Sequence, residues 1–146
     1  MKKILTLLIL CFSNLYGQET YIHAGKIFDS ESGKIKKDKT IIIEGNIITS
    51  IKNGFVSPES EGASIIDLRS KTLIPGLIDF HVHMESESGG QERYIKRFQD
   101  NEADVAFRST VVAKKTLMAG FTTVRDVGGS GVNIALRDAI NKGTVI

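Results

Sequence analysis

Over residues 20–73 the apolar positions fall in short β-branched runs broken by turn-forming residues. Beyond Pro75 the pattern changes to apolar strands alternating with longer amphipathic stretches. The first run, in TYIHAGKIFD, ends in a turn rich in Ser, Asp and Gly over residues 29–33. Residues 41–44 and 47–51 flank Gly45-Asn46, and two β-branched runs across such a pair predict a tight hairpin. NGFVSPESEGAS reads as a polar loop, and SIIDLRSKTLI as a further strand pair turning at Arg69-Ser70. The expectation is a small antiparallel unit in which His23 is an ordinary strand residue.

After Pro75-Gly76, LIDFHVHM is a compact strand and ESESGGQERYIKRFQDNE a long charged connection. Asp100 or Asn101 is placed to cap a helix running to Ala119 and stopped by Gly120. FTTVRDVGG predicts a strand ending in a Gly-rich turn. VNIALRDAINKG predicts a second helix stopped by Gly143, and TVI the start of a third strand. Strand, helix, strand, helix, strand is the order of βαβ units in a parallel sheet. Residues 128–131, Gly-Gly-Ser-Gly, lack both the Lys-Ser/Thr that follows a phosphate loop and the G-x-G-x-x-G spacing. They read as a strand-to-helix turn.

The first residues follow neither pattern. MKKILTLLILCFSNLYGQ opens with Lys2 and Lys3, continues apolar over residues 4–12, and then turns polar and small. That is the layout of a secretory signal peptide, too short to span a bilayer as a mature helix. Cleavage is expected after Gly17, giving residues 1–17 as signal, 18–75 as a β-rich part and 76–146 as a strand-helix part. Cleavage would take Lys+Arg from 19 to 17 against 17 Asp+Glu, so the mature chain is formally neutral. A neutral chain offers no basic face for nucleic acid. The only cysteine, Cys11, lies in the segment to be removed, and lipid anchoring there is disfavoured because Leu10 stands where a small residue is wanted. Without thiolates, any metal site in the mature chain rests on histidines and carboxylates. The expected location is periplasmic or extracellular.

Side chains of a strand alternate, so Asp79, His81 and His83 share one face while Ile78, Phe80 and Val82 share the other. In a parallel barrel, polar residues aimed inward at a strand's C-terminal end sit where such barrels do chemistry. Two imidazoles at i and i+2 converge on one point, which suits a divalent ion such as zinc, iron, nickel or manganese. An isolated H-x-H is more often incidental. Asp79 in phase, the Pro-Gly entry and the Gly-rich loop that follows all favour the metal.

LIPGLIDFHVH resembles the P-G-x-x-D-x-H-x-H signature of the amidohydrolase superfamily, where it forms the first strand of a (β/α)8 barrel. GKIFDSESGKIKKDKTIIIEGNIITSI resembles the small β-sandwich part that precedes that barrel. GFTTVRDVGGSGVNIALRDAINKGTVI is similar to the branch that holds imidazolonepropionase and exported Xaa-Pro dipeptidases. The resemblance implies an α/β fold and a hydrolase acting on a carbon–nitrogen bond, in a cyclic amide or a dipeptide, through a metal-activated water. It assigns His81 and His83 as ligands to one or two divalent ions, zinc first among them. Asp79 and Asp126 take supporting places behind the ligands, and Arg125 with Asp126 shapes the floor of the site or forms a structural ion pair. The catalytic aspartate and the remaining ligands of that superfamily lie on later strands, past residue 146.

These readings describe an N-terminal fragment, inactive alone, with homo-oligomerisation left open for the full-length protein. It would leave an apolar face of Leu77, Phe80, Val82, Phe121 and Val124 uncovered. The competing expectation is a non-catalytic exported β-rich binding module.

Overall fold

The computed structural model describes residues 19–87 and 89–145. The expected signal sequence with Cys11, and Ile146 of the expected third strand, lie outside the described residues. The chain divides between Pro75 and Gly76 into two compact units.

In the first unit, β1 (Glu19–Asp29), β2 (Lys34–Glu44), β3 (Ile47–Asn53) and β4 (Ser64–Leu73) form one sheet in the order β3-β2-β1-β4. β1 and β2 pair antiparallel across the turn at residues 29–33, where Gly33 N donates to Asp29 O at 2.8 Å. β2 and β3 form the hairpin expected across Gly45-Asn46. Two expectations fail at β4. It is one strand, and it lies parallel to β1, Thr20 beside Ser64 and Ile27 beside Leu73.

Both departures have physical causes. β3 already runs parallel to β1, because each pairs antiparallel with β2. A fourth strand parallel to both requires the connection over residues 54–63 to run back along the sheet. It does so over one face. Thr40 Oγ1 donates to Gly54 O at 2.7 Å and accepts from Val56 N at 3.0 Å. His23 Nε2 meets Val56 O at 2.9 Å, and its ring lies 5.5 Å from that of Phe55. Tyr21, Ala24, Ile27, Thr40 and Ile42 are buried. The Arg69-Ser70 turn signal is absorbed as a bulge: Ala24 pairs with Leu68 and Lys26 with Thr72, so residues 69–71 together face Gly25. A Cβ at Gly25 would stand 1.9 Å from Arg69 O, so only glycine fits there.

The second unit opens with β5 (Leu77–Val82), followed by helices α1 (Gly90–Gln99) and α2 (Glu102–Met118), then β6 (Phe121–Asp126) and α3 (Val132–Asn141). β5 and β6 pair in parallel, Leu77 beside Phe121 and Val82 beside Asp126. α2 carries a full capping box. The Asn101 side chain accepts from Ala103 N and Asp104 N, and Asp104 Oδ2 accepts from Asn101 N. α1 forms within the stretch expected to be a charged connection. An i,i+4 ion pair, Glu92–Lys96 at 2.7 Å, and an i,i+4 edge contact between Tyr94 and Phe98 support it. The expected third strand is not formed among the described residues. Thr144 sits in a bend, and Val145 packs instead on the core of Met84, Val112, Ala113 and Leu136, together with Val82 and Val124. The apolar face is therefore covered at Val82 and Val124, which pack on this core, while Phe80 stays 69% exposed and Leu77 41%.

Candidate metal centre

The C-terminal end of β5 delivers the chemistry-bearing residues. Asp79 is half-buried, and His81 and His83 are exposed. Their rings meet edge to face with centroids 5.5 Å apart. Asp79 Oδ1 accepts from the backbone N–H of His81 at 2.9 Å. The carboxylate therefore shapes the end of the strand rather than bonding either imidazole.

His83 is held by the turn after β6. Its Nδ1 lies 3.1 Å from Gly128 O. A carbonyl oxygen only accepts, so Nδ1 carries the proton and the Nε2 lone pair is left for another partner. Metal-ligating histidines usually have this arrangement, with one nitrogen donating to a carbonyl or carboxylate and the other facing the ion.

Asp126 builds the same turn. Its Oδ2 accepts from Met84 N and its Oδ1 from Gly128 N, both at 3.0 Å. The carboxylate joins the segment after β5 to the segment after β6. Among the described residues it forms no ion pair with Arg125, which corrects that alternative; it is linked to His83 through Gly128. Sequence reasoning missed Glu85. Oε1 accepts from Ser130 N at 2.8 Å, Asn133 N at 3.0 Å and Ser130 Oγ at 3.2 Å, and Oε2 accepts from Ser130 N at 2.9 Å. The backbone oxygen of Glu85 accepts from Arg108 Nε at 3.1 Å, and Arg108 Nη1 meets Asp100 Oδ2 at 2.5 Å. A sequence signal existed: the helix after Gly131 begins without a capping side chain or an acidic first turn, so its amide protons need an acceptor from elsewhere.

A cleft of about 430 Å³ opens beside these groups, bordered by His83, Glu85, Asp100, Arg108, Gly128 and Ser130. The donor set fits a divalent ion as two of its ligands, both neutral nitrogens. Among the described residues no third His, Cys, Asp or Glu joins them.

A model of the amidohydrolase family matches residues 72–146. Among solved structures, a Xaa-Pro dipeptidase with methionine bound in its active site is 42% identical, with a TM-score of 0.79 over 88% of this chain and 31% of its own. A prolidase complexed with N-methylphosphonate-L-proline is 29% identical, with a TM-score of 0.73 over 88% of this chain and 30% of its own. A dihydroorotase of Pelotomaculum thermopropionicum is 33% identical over 72 residues, which are 49% of this chain and 16% of that protein. The chain thus spans about a third or less of the length of these relatives.

Proposed function

Because the chain belongs to the amidohydrolase family, a family of metal-dependent hydrolases, we propose that it carries the opening part of the metal site of an exported dipeptidase. His81 and His83 are two of the ligands, zinc is the ion, and the bond cleaved is the carbon–nitrogen bond of a dipeptide. The observation that carries this reading is the His83–Gly128 hydrogen bond, because it leaves Nε2 of an H-x-H histidine as a metal donor at a strand end. The likeness to a Xaa-Pro dipeptidase over most of the chain supports a dipeptide over a cyclic amide; the dihydroorotase match covers half as much of it.

When bound, such an ion lowers the pKa of water and polarises the scissile carbonyl. The chain's own residues orient the site. Asp79 fixes the His81 backbone at the strand end, Gly128 holds the His83 proton on Nδ1, and Asp126 keeps that carbonyl in place. The cleft beside His83 takes the polar end of the substrate. A catalytic zinc wants three protein ligands and a water, so these two imidazoles are part of a larger set.

Zinc titration of the protein tests the assignment. His81→Ala or His83→Ala should lower the zinc affinity, and Phe80→Leu, on the opposite face, should leave it unchanged. Zinc retained at wild-type level by the double histidine variant would refute it and favour a non-catalytic binding module. Export is tested separately: N-terminal sequencing of the protein isolated from its source should begin near Gln18, and an intact Met1 would overturn it.

A further inference from the structure

We propose that Glu85 is a positioning residue for His83, acting through the loop that follows β6. The proposal rests on the reading of His83 as a metal ligand and extends it to the group that keeps the ligand oriented.

The paired strands do not stop supporting each other at Val82 and Asp126. Val127 N donates to Val82 O at 3.2 Å, Met84 N donates to Asp126, His83 Nδ1 donates to Gly128 O, and Ser130 N donates to Glu85. The His83–Gly128 and Glu85–Ser130 bonds each join residues 45 apart in sequence, so they are successive rungs of one ladder. The Glu85 rung is the outermost and carries a charge. It sits on the N-terminus of α3, which has Gly131 at its cap, no capping side chain and no acid in its first turn. The first amide protons of a helix need acceptors, and its positive end favours a carboxylate. Glu85 answers both needs, and Arg108 on α2 anchors its backbone oxygen. Both ends of residue 85 are therefore fixed, one on each helix.

Gly129 lies between the two rungs. A Cβ there would stand 2.5 Å from Glu85 Oε1 and 2.8 Å from Asn133 Cγ. The carboxylate can take its seat only because residue 129 has no side chain. If the seat is lost, the loop is released and the Gly128 carbonyl drifts from His83. The imidazole then reverts to the tautomer that free histidine prefers, with the proton on Nε2 and no lone pair there for a metal.

The test reads the tautomer directly, without metal, by nitrogen-15 NMR of the imidazoles in the whole chain at about pH 8, a pH above the roughly 6.5 of a model imidazole. Zinc is then titrated while the same resonances are followed. The wild-type chain should show His83 protonated on Nδ1, while Glu85→Ala and Gly129→Ala should move it toward Nε2–H. Both variants should weaken zinc binding by about tenfold or more, the usual effect of losing a group behind a ligand. Glu85→Gln keeps Oε1, which takes three of the four bonds, and should stay close to wild type; a general loss of helix charge would not be rescued this way. A wild-type tautomer and zinc affinity in Glu85→Ala would overturn the proposal, as would a Glu85→Gln variant as impaired as Glu85→Ala. If Glu85→Ala shifts the tautomer while the double histidine variant keeps zinc at the wild-type level, the positioning role stands and the metal reading falls.

Discussion

Replacing Asp126 by asparagine keeps shape and volume but removes one acceptor. The carboxylate receives two backbone protons, from Met84 and Gly128, each at 3.0 Å. An amide has one oxygen, so one of those N–H groups must face its NH2. Met84 is buried at 7% exposure and Gly128 is exposed, so the oxygen should turn to Met84 and the Gly128 proton should be left to water. Hydrogen bonds to a charged acceptor contribute about 1.5–3 kcal/mol and neutral ones about 1 kcal/mol. Losing one charged bond and weakening the other, with water replacing part of the loss at Gly128, gives a destabilisation of about 2–3 kcal/mol. With a urea slope of about 1–3 kcal/mol/M, the unfolding midpoint of the second unit should fall by about 1 M. Amide hydrogen exchange gives the sharper reading: Gly128 should lose protection while Met84 keeps most of its own. Asp138→Asn, which removes only an exposed pair with Arg137, serves as the control. An Asp126→Asn chain within about 0.5 kcal/mol of wild type, the range of ordinary surface substitutions, with Gly128 still protected, would refute the reasoning.

Two further outcomes are expected in the first unit. Gly25→Ala places a Cβ 1.9 Å from a backbone oxygen, so β1 and β4 must separate; overpacking of this kind costs at least about 1–3 kcal/mol, and the backbone amide signals of residues 68–72 should shift or broaden while those of β3 do not. Asp29 is held at about 2, below its ordinary 3.8, by hydrogen bonds from Lys36 and Ser32. A depressed carboxylate contributes stability that is present above its unfolded pKa and lost as pH falls through the folded one. The β1–β2 turn should therefore loosen between about pH 4 and pH 2, and Asp29→Asn should remove that part of the pH dependence in a melting series; a wild-type profile in the variant would count against the pairing.

What the residue pattern made legible was local. The hairpin across Gly45-Asn46, the helix capped at Asn101 and the strand carrying His81 and His83 are each specified by residues adjacent in sequence. The misreadings were non-local or backbone-made. The parallel placement of β4 depends on a returning loop that pins itself to Thr40 and His23, and nothing within SIIDLRSKTLI announces it. The bulge at residues 69–71 looks like a turn because both require a break in strand alternation. α1 was missed because Gly89, Gly90 and a crowd of charges masked the i,i+4 pairs that support it. In the candidate site His81 and His83 were legible as a motif. Their support was not, because Gly128 contributes a carbonyl, which no residue type encodes, and Glu85 looked like one more acid in a charged run.

The way the two helices are capped bears on the order in which the second unit folds. α2 supplies its own cap from Asn101 and Asp104, three residues apart, so its first turn needs no distant partner. α3 borrows its cap from Glu85, separated from Asn133 by 48 residues. Helix nucleation is unfavourable by itself, and a contact closing so long a loop forms late. α2 should thus be structured in the folding transition state and α3 should consolidate last, together with the β5–β6 pairing. Completion of the turn that holds His83 then coincides with completion of the unit itself.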